Sequence, residues 1–275
     1  MEKNKVSVVI NTYNEEYNLT ACLESVKWAD EIVVVDMYST DKTVEIAKSY
    51  KCKVFMHKKL DYADPARQFA IEHTSNNWIL SVDADEVITK KLQVEIEKIV
   101  TENKYEAVNI PMINYFHSYK MKATGWGPLQ DKHIRLFKKE CVYFTDEIHN
   151  FFHLTKTTKL LQINDSNCSF LHFPYSSIEK YIDKLNNYTK IEAENIFNGL
   201  KPKYSKYKPL KEFLKRFFLQ KGYEDGFMGL KMSFMAGLYY FIINLKLDFL
   251  KKYNTLNIAE KVAVEKSEII NEYRL

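Results

Sequence analysis

Three acids within four residues, Asp83, Asp85 and Glu86, follow directly on the apolar run WILSV of residues 78–82. Carboxylates this close repel one another unless a cation or hydrogen-bond donors offset their charge, and they are the ligands that Mg²⁺ and Mn²⁺ prefer. The spacing suits an ion that bridges to phosphate oxygens. It also suits the acidic first turn of a following helix. Two further polar groups stand at comparable places: NTYNEE (11–16) after the run VSVVI, and Asp36 at the end of IVVVD. In open α/β sheets ligands bind beyond the carboxyl ends of the strands, so the three groups form one candidate site.

The elements that must position them are legible as a pattern. Residues 6–10 and 32–36 read as strands buried on both faces, joined by a helix in which Leu19, Cys22, Leu23 and Val26 recur at helical spacing behind Asn18, a candidate N-cap. The unit repeats with a helix from about 39–41, a strand at 53–57, a helix around 65–75 and a strand at 78–82. A helix carrying Val94, Ile96, Ile99 and Val100 follows, then strands at 105–113 and 133–138. The expected fold is α/β, a mixed Rossmann-type sheet flanked by helices over residues 1–175. After His172-Phe173-Pro174 the pattern changes to long helices at 177–198, 209–221 and 226–250, so 176–275 is expected to be a helical C-terminal region.

Composition bounds the setting. At 275 residues the chain has room for one large domain and a smaller appendage. MEKNKVSVVI runs from a charged tip straight into a strand pattern without the features of a signal peptide, and Cys22, Cys52, Cys141 and Cys168 lie far apart. Both point to a cytoplasmic protein with reduced thiols. The net charge of +4 is uneven, since residues 1–175 carry 22 Lys/Arg against 24 Asp/Glu and 176–275 carry 18 against 12. Seven lysines and Arg216 face Glu212 alone within 201–221. That density suits peripheral contact with an anionic membrane surface as well as a solvated helix face; the stretch is too short to argue for nucleic acid. The apolar run 232–245, bounded by Lys231 and Lys246, falls short of the ~20 residues that span a bilayer.

Taken in order, VSVVINTYNEE, EIVVVDMYSTDKT, the helix with Arg67-Gln68 and WILSVDADE resemble the family-2 glycosyltransferases of the GT-A fold. GWGPLQDKHIRLFKKE and FFLQKGYEDGFMGLKMSFMAGLYYF further resemble the bacterial branch that modifies lipopolysaccharide core and related envelope glycans. The resemblance implies an inverting, metal-dependent hexosyl- or heptosyltransferase using Mg²⁺ or Mn²⁺, with a nucleotide-sugar donor and a saccharide or lipid-linked glycan acceptor at the inner face of the cytoplasmic membrane. It implies that Thr12, Tyr13 and Glu15 hold the base and ribose with Asp36, that Arg67 reaches the diphosphate, that Asp83 contacts the ribose or the ion, and that Asp85 is the main metal ligand. Asp131 is the implied base, with Asp146 and Glu147 in reserve, and His149 a ligand to metal or diphosphate. Trp126, between two glycines, would form an acceptor platform.

Two departures stand out. Met37 and Asn150 occupy places where many relatives carry an acid, which suits the alternative of a catalytically silent scaffold that keeps the fold. Among other enzymes, a nicotinamide or flavin oxidoreductase needs a glycine-rich turn after the first strand, and NTYNEE has no glycine. A phosphohydrolase would place a nucleophilic aspartate where Asn11 and Thr12 stand. A sugar nucleotidyltransferase, the nearest enzymatic rival, usually carries a glycine-rich basic loop there.

Overall fold

A computed structural model describes residues 4–58, 64–143, 153–175 and 177–273. The chain divides into two compact units, one of residues 1–122 and 126–174, the other of 123–125 and 175–275.

The first unit is built on β1 (Val6–Thr12), β2 (Glu31–Asp36), β3 (Lys53–Met56) and β4 (Trp78–Asp83), which run parallel in the order β3-β2-β1-β4. Crossovers α1 (Leu19–Val26), α2 (Thr43–Ser49) and α3 (Asp64–Glu72) connect them. These strands read as continuous β-branched runs because both faces are covered. Val8, Ile10, Val34, Leu80 and Val82 pack on one side with Leu19 and Leu23 of α1 and with Leu92 and Ile96 of α4 (Lys90–Glu102). Val9, Val33, Val35 and Ile79 face Ala66, Ala70 and Ile71 of α3 on the other. Asn18 does not cap α1; its amide donates to Glu15 instead, at 2.7 Å.

Beyond β4 the sheet turns mixed. After β5 (Glu86–Ile88) and α4 come β6 (Ala107–Phe116), β7 (Tyr119–Lys120) and β8 (Lys132–Lys138); β8 inserts antiparallel between β4 and β6. A separate ribbon pairs β9 (Val142–Tyr143) with β10 (His153–Leu154). β11 (Leu160–Gln162) adds to β6, and β12 (Phe170–His172) lies parallel to β6 and antiparallel to β5. This is the expected mixed sheet flanked by helices. Every strand that closes the site, β5, β8 and β12, pairs with segments distant in sequence.

The second unit is helical: α5 (Ile178–Phe197), α6 (Lys208–Leu214), α7 (Gly226–Tyr253) and α8 (Ile258–Glu272). Ala193 and Ile196 of α5 form its core with Ile243, Leu247 and Leu250 of α7. The helix expected over 209–221 is shorter, because a π-helical turn at Lys215–Leu219 interrupts it. Gly237 lets α7 approach α6 closely, since a Cβ there would stand 2.8 Å from the carbonyl oxygen of Pro209. The 14-residue run read between Lys231 and Lys246 underestimates this helix: Gly222–Tyr253 is long and apolar enough, by length and composition, to cross a membrane. All four cysteines are free thiols.

At the amino ends of the strands, buried Glu31 ties three segments together. It accepts from Ser7 Oγ, from Lys53 Nζ at 2.5 Å, and from Ser75 N and Oγ at 2.7 and 2.8 Å. Burial alone would raise its pKa, but these donors outweigh it and pull the carboxyl down to about 2. A depressed carboxylate stabilises the fold above its unfolded pKa and loses that contribution as pH falls through the folded value. Glu31→Gln is therefore expected to cost on the order of 2–3 kcal/mol at neutral pH. Urea denaturation of both proteins checks this, with the difference shrinking as pH drops from about 4.5 towards 2.

Candidate active site

The acids at the end of β4 meet two arginines, Arg135 buried and Arg67 partly so. Arg67 of α3 pairs with Asp83 through Nη2, at 2.8 Å to Oδ1 and 3.0 Å to Oδ2. Arg135 of β8 reaches the same carboxylate at 3.0 Å and Glu86 at 2.5 Å. The backbone N–H of Asp83 donates to the other Glu86 oxygen at 2.8 Å. Burial would raise the pKa of Asp83, yet the two guanidinium groups hold it well below the usual carboxylate range. Glu86 is pushed up by burial and by Asp83, against the pull of Arg135. The turn is thus held by charge, with Asp83 and Glu86 both bound to Arg135.

Opposite Asp85 stands a residue that sequence reasoning missed. Antiparallel pairing of β5 with β12 sets His172 against Glu86, and His172 Nε2 comes 3.8 Å from Asp85 Oδ2. Asn114, buried on β6, defines the chemistry of that ring. Its Nδ2 donates to Asp131 Oδ2 at 2.7 Å and to the Trp126 carbonyl at 3.1 Å, both pure acceptors once Asp131 is ionised. Its Oδ1 must then face His172 Nδ1, 2.7 Å away, so that nitrogen carries the hydrogen. In the neutral ring Nε2 presents a lone pair beside the Asp85 carboxylate, a nitrogen and an oxygen donor suited to one divalent cation. Among the described residues no cluster of three or more His, Cys, Asp or Glu side chains is placed to hold an ion. Asp85 and His172 would be two of its ligands, leaving positions for phosphate oxygens and water.

Asp131 sits at the start of β8 with its N–H on the carbonyl of Gly127 and its own carbonyl accepting from Met112. His133 Nε2 lies 2.8 Å from its Oδ1, and 20% of the side chain is exposed. Burial would raise its pKa, but His133 and Asn114 outweigh that and keep it below the ordinary value. It is an ionised, partly accessible carboxylate joined through one amide to the histidine beside Asp85.

The residues expected on the nucleoside side lie on two stitched loops. Asp36 is fully buried and accepts from Thr12 Oγ1 at 3.0 Å, Ser39 N at 2.8 Å and Ser39 Oγ at 2.5 Å. Asn14, with φ of 55°, donates its N–H to Ser39 Oγ and accepts from Thr40 N on its side-chain oxygen, both at 2.8 Å. The structure therefore places Thr12 and Asp36 inside the loop framework, with Tyr13 and Glu15 half-buried along it. Beneath the same rim Arg67, Ser81, Lys132, His133 and Arg135 line a cationic cavity of about 270 Å³. Larger recesses open at the amino ends of the strands, around Asn4, Lys5 and Ser75, away from the acids. His149, Asp146, Glu147 and Asn150 lie outside the described residues.

Residues 7–156 match the family model described as Glycosyl transferase family 2. An uncharacterised glycosyltransferase of Rickettsia typhi is 33% identical over 82% of this chain and 80% of its own. LpsC of Rhizobium meliloti, a lipopolysaccharide core biosynthesis glycosyltransferase, is 24% identical over 89% of this chain and 92% of its own. Among solved structures, S. aureus TarS 1–349 in complex with UDP-GlcNAc is 18% identical, covers 85% of this chain and 79% of that one, and superposes with a TM-score of 0.49.

Breaking a buried ion pair from one side costs about 3–5 kcal/mol, whereas removing both partners is often near neutral. Arg135→Met is expected to lower stability by about that amount because Glu86 is left buried without its cation. Arg135→Met with Glu86→Gln should recover roughly half or more of the loss, since Asp83 retains Arg67. Denaturant unfolding of the single and double variants measures both.

Proposed function

Since the chain belongs to glycosyltransferase family 2, we propose that it transfers a hexose or heptose, with inversion, from a nucleotide-sugar donor to a saccharide of a cell-envelope glycan such as lipopolysaccharide core, lipid-linked at the inner face of the cytoplasmic membrane. The line from Asp85, 3.8 Å from His172, and on through the hydrogen bonds His172–Asn114 and Asn114–Asp131 supports this, because it would join an ion-binding pair to an ionised carboxylate.

Inversion requires an acceptor hydroxyl to attack the anomeric carbon from the face opposite the diphosphate. Asp131 takes the hydroxyl proton as the new carbon–oxygen bond forms, and the bond from that carbon to the diphosphate breaks to release the nucleoside diphosphate. Its depressed pKa keeps it ionised at neutral pH, and Asn114 and His133 hold it in place. Asp85 and His172 would hold Mg²⁺ or Mn²⁺; such an ion supplies positive charge against the leaving diphosphate. Tyr13 and Glu15 contact the nucleoside, and Asp36 acts on it by fixing Thr12 and the loop at Ser39. Arg67 and Arg135 contribute cationic charge beneath the diphosphate while they hold Asp83 in position.

Thermal melting with a panel of nucleoside diphosphates tests the donor site. A ligand at a hundred times its Kd should stabilise by ~2.7 kcal/mol, and the shift is expected to need Mn²⁺ or Mg²⁺ and to vanish in Asp85→Ala. No shift with any nucleotide would overturn the proposal. Asp131→Asn should retain the shift while kcat falls ~10²–10⁴-fold. The glycosidic product should carry the anomeric configuration opposite to the donor, and a retained configuration would exclude Asp131 as a simple base.

A further inference from the structure

α7 is apolar all round, yet only one side of it is covered. Met232, Ile243, Leu247 and Leu250 are buried in the second unit. On the opposite side Phe227, Leu230, Phe234, Phe241, Leu245 and Phe249 are exposed, the first, third and fourth at 70%, 60% and 54%. These positions are separated by three, four, seven, four and four residues, which keeps them in line at 3.6 residues per turn. The result is one stripe of four Phe and two Leu about 33 Å long. A contiguous apolar face of this kind marks an interaction surface, since isolated exposed rings are common but aligned ones are not.

The charges around the stripe select its occupant. Lys231 sits beside it, with Nζ 4.6 Å from the centroid of the Phe227 ring. α6, packed on α7, and the segments flanking α6 expose Leu210, Leu214, Phe218 and Leu219 among lysines. Of these, Lys203, Lys206, Lys211 and Lys215 are exposed and pair with no carboxylate among the described residues. Apolar side chains flanked by unpaired cations match the boundary between acyl chains and anionic headgroups. A second copy of the chain would bring the same lysines against one another.

A transmembrane placement of α7 conflicts with its packing. Lys246 donates to Asn186 O, Asn186 Oδ1 and Thr189 Oγ1 of α5 at 2.7, 2.8 and 2.9 Å, and only Gly237 admits α6 at its contact. Crossing the bilayer would strip these partners away and carry Lys231, Lys246 and Asp248 into hydrocarbon. We infer that α7 lies in the plane of an anionic lipid bilayer, with its Phe/Leu stripe among the acyl chains and the lysines of 203–215 at the headgroups. This deepens the proposed function only in stating how the protein reaches a lipid-linked acceptor.

Sedimentation of the full chain with vesicles tests it. Binding to equal parts phosphatidylglycerol and phosphatidylcholine is expected to exceed binding to phosphatidylcholine alone by roughly tenfold and to weaken as salt is added. Phe234→Ser with Phe241→Ser should reduce binding by roughly tenfold or more. Both side chains are exposed, so the melting temperature and the nucleotide-induced shift should be unchanged, which separates failure here from failure of the donor site. In F234W, tryptophan emission should shift to the blue on mixed vesicles and be quenched by brominated lipid. Absence of sedimentation, full binding by the double serine variant, or unquenched emission would each overturn the inference. So would a lipid-independent dimer that the serine variant abolishes, which would assign the stripe to a second copy.

Discussion

A single buried guanidinium, that of Arg135, holds the end of β4 in a state it could not keep alone. Three carboxyl groups crowd within four residues there, and without a fixed cation the turn from Asp83 to Glu86 would open or protonate. Arg135 comes from β8, which runs against β4, so the sheet supplies the compensating charge through its register. Arg67 adds a second cation from α3. Asp85, between these two acids in the turn, lies 3.8 Å from His172.

That division of labour separates what the sequence reveals from what it conceals. The parallel strands were legible because continuous runs such as VSVVI and IVVVD have no other ready explanation, and the strands do end at Thr12, Asp36 and Asp83. The helical character of the last hundred residues was legible for the same reason. β5 and β12 escaped notice because each is three residues long, too short for a period of two to register. His172 was visible only as the boundary of a change in pattern, although it lies nearest Asp85 across that pairing. Arg135 was read as one position in an alternating strand, and its inward direction follows from a partner more than fifty residues away.

Asn114 is the clearest case of information that only three dimensions hold. Nothing marks an asparagine in the run NIPMINYF as special. Its two ends are chemically distinct, and that polarity lets it specify which nitrogen of His172 carries hydrogen while it orients Asp131. The loops after β1 and β2 teach the complementary lesson. Asp36, expected to touch the nucleoside, accepts from Thr12 and Ser39 and so fixes the loop. A short-range acid at a strand end can serve the ligand by shaping the loop as well as by contact.

The arrangement of β12 also bears on synthesis. Among the described residues β5 has no strand beside it but β12, so the segment carrying the acid turn gains that partner only when residues 170–172 are available. A ribosome delivering the chain from its amino end would release the first four strands and their helices well before that segment emerges. The nascent protein would hold most of its apolar core while the acid turn still lacked its strand partner. Assembly of the candidate site thereby becomes a late, long-range event, placed close to the moment at which the whole domain is free of the ribosome.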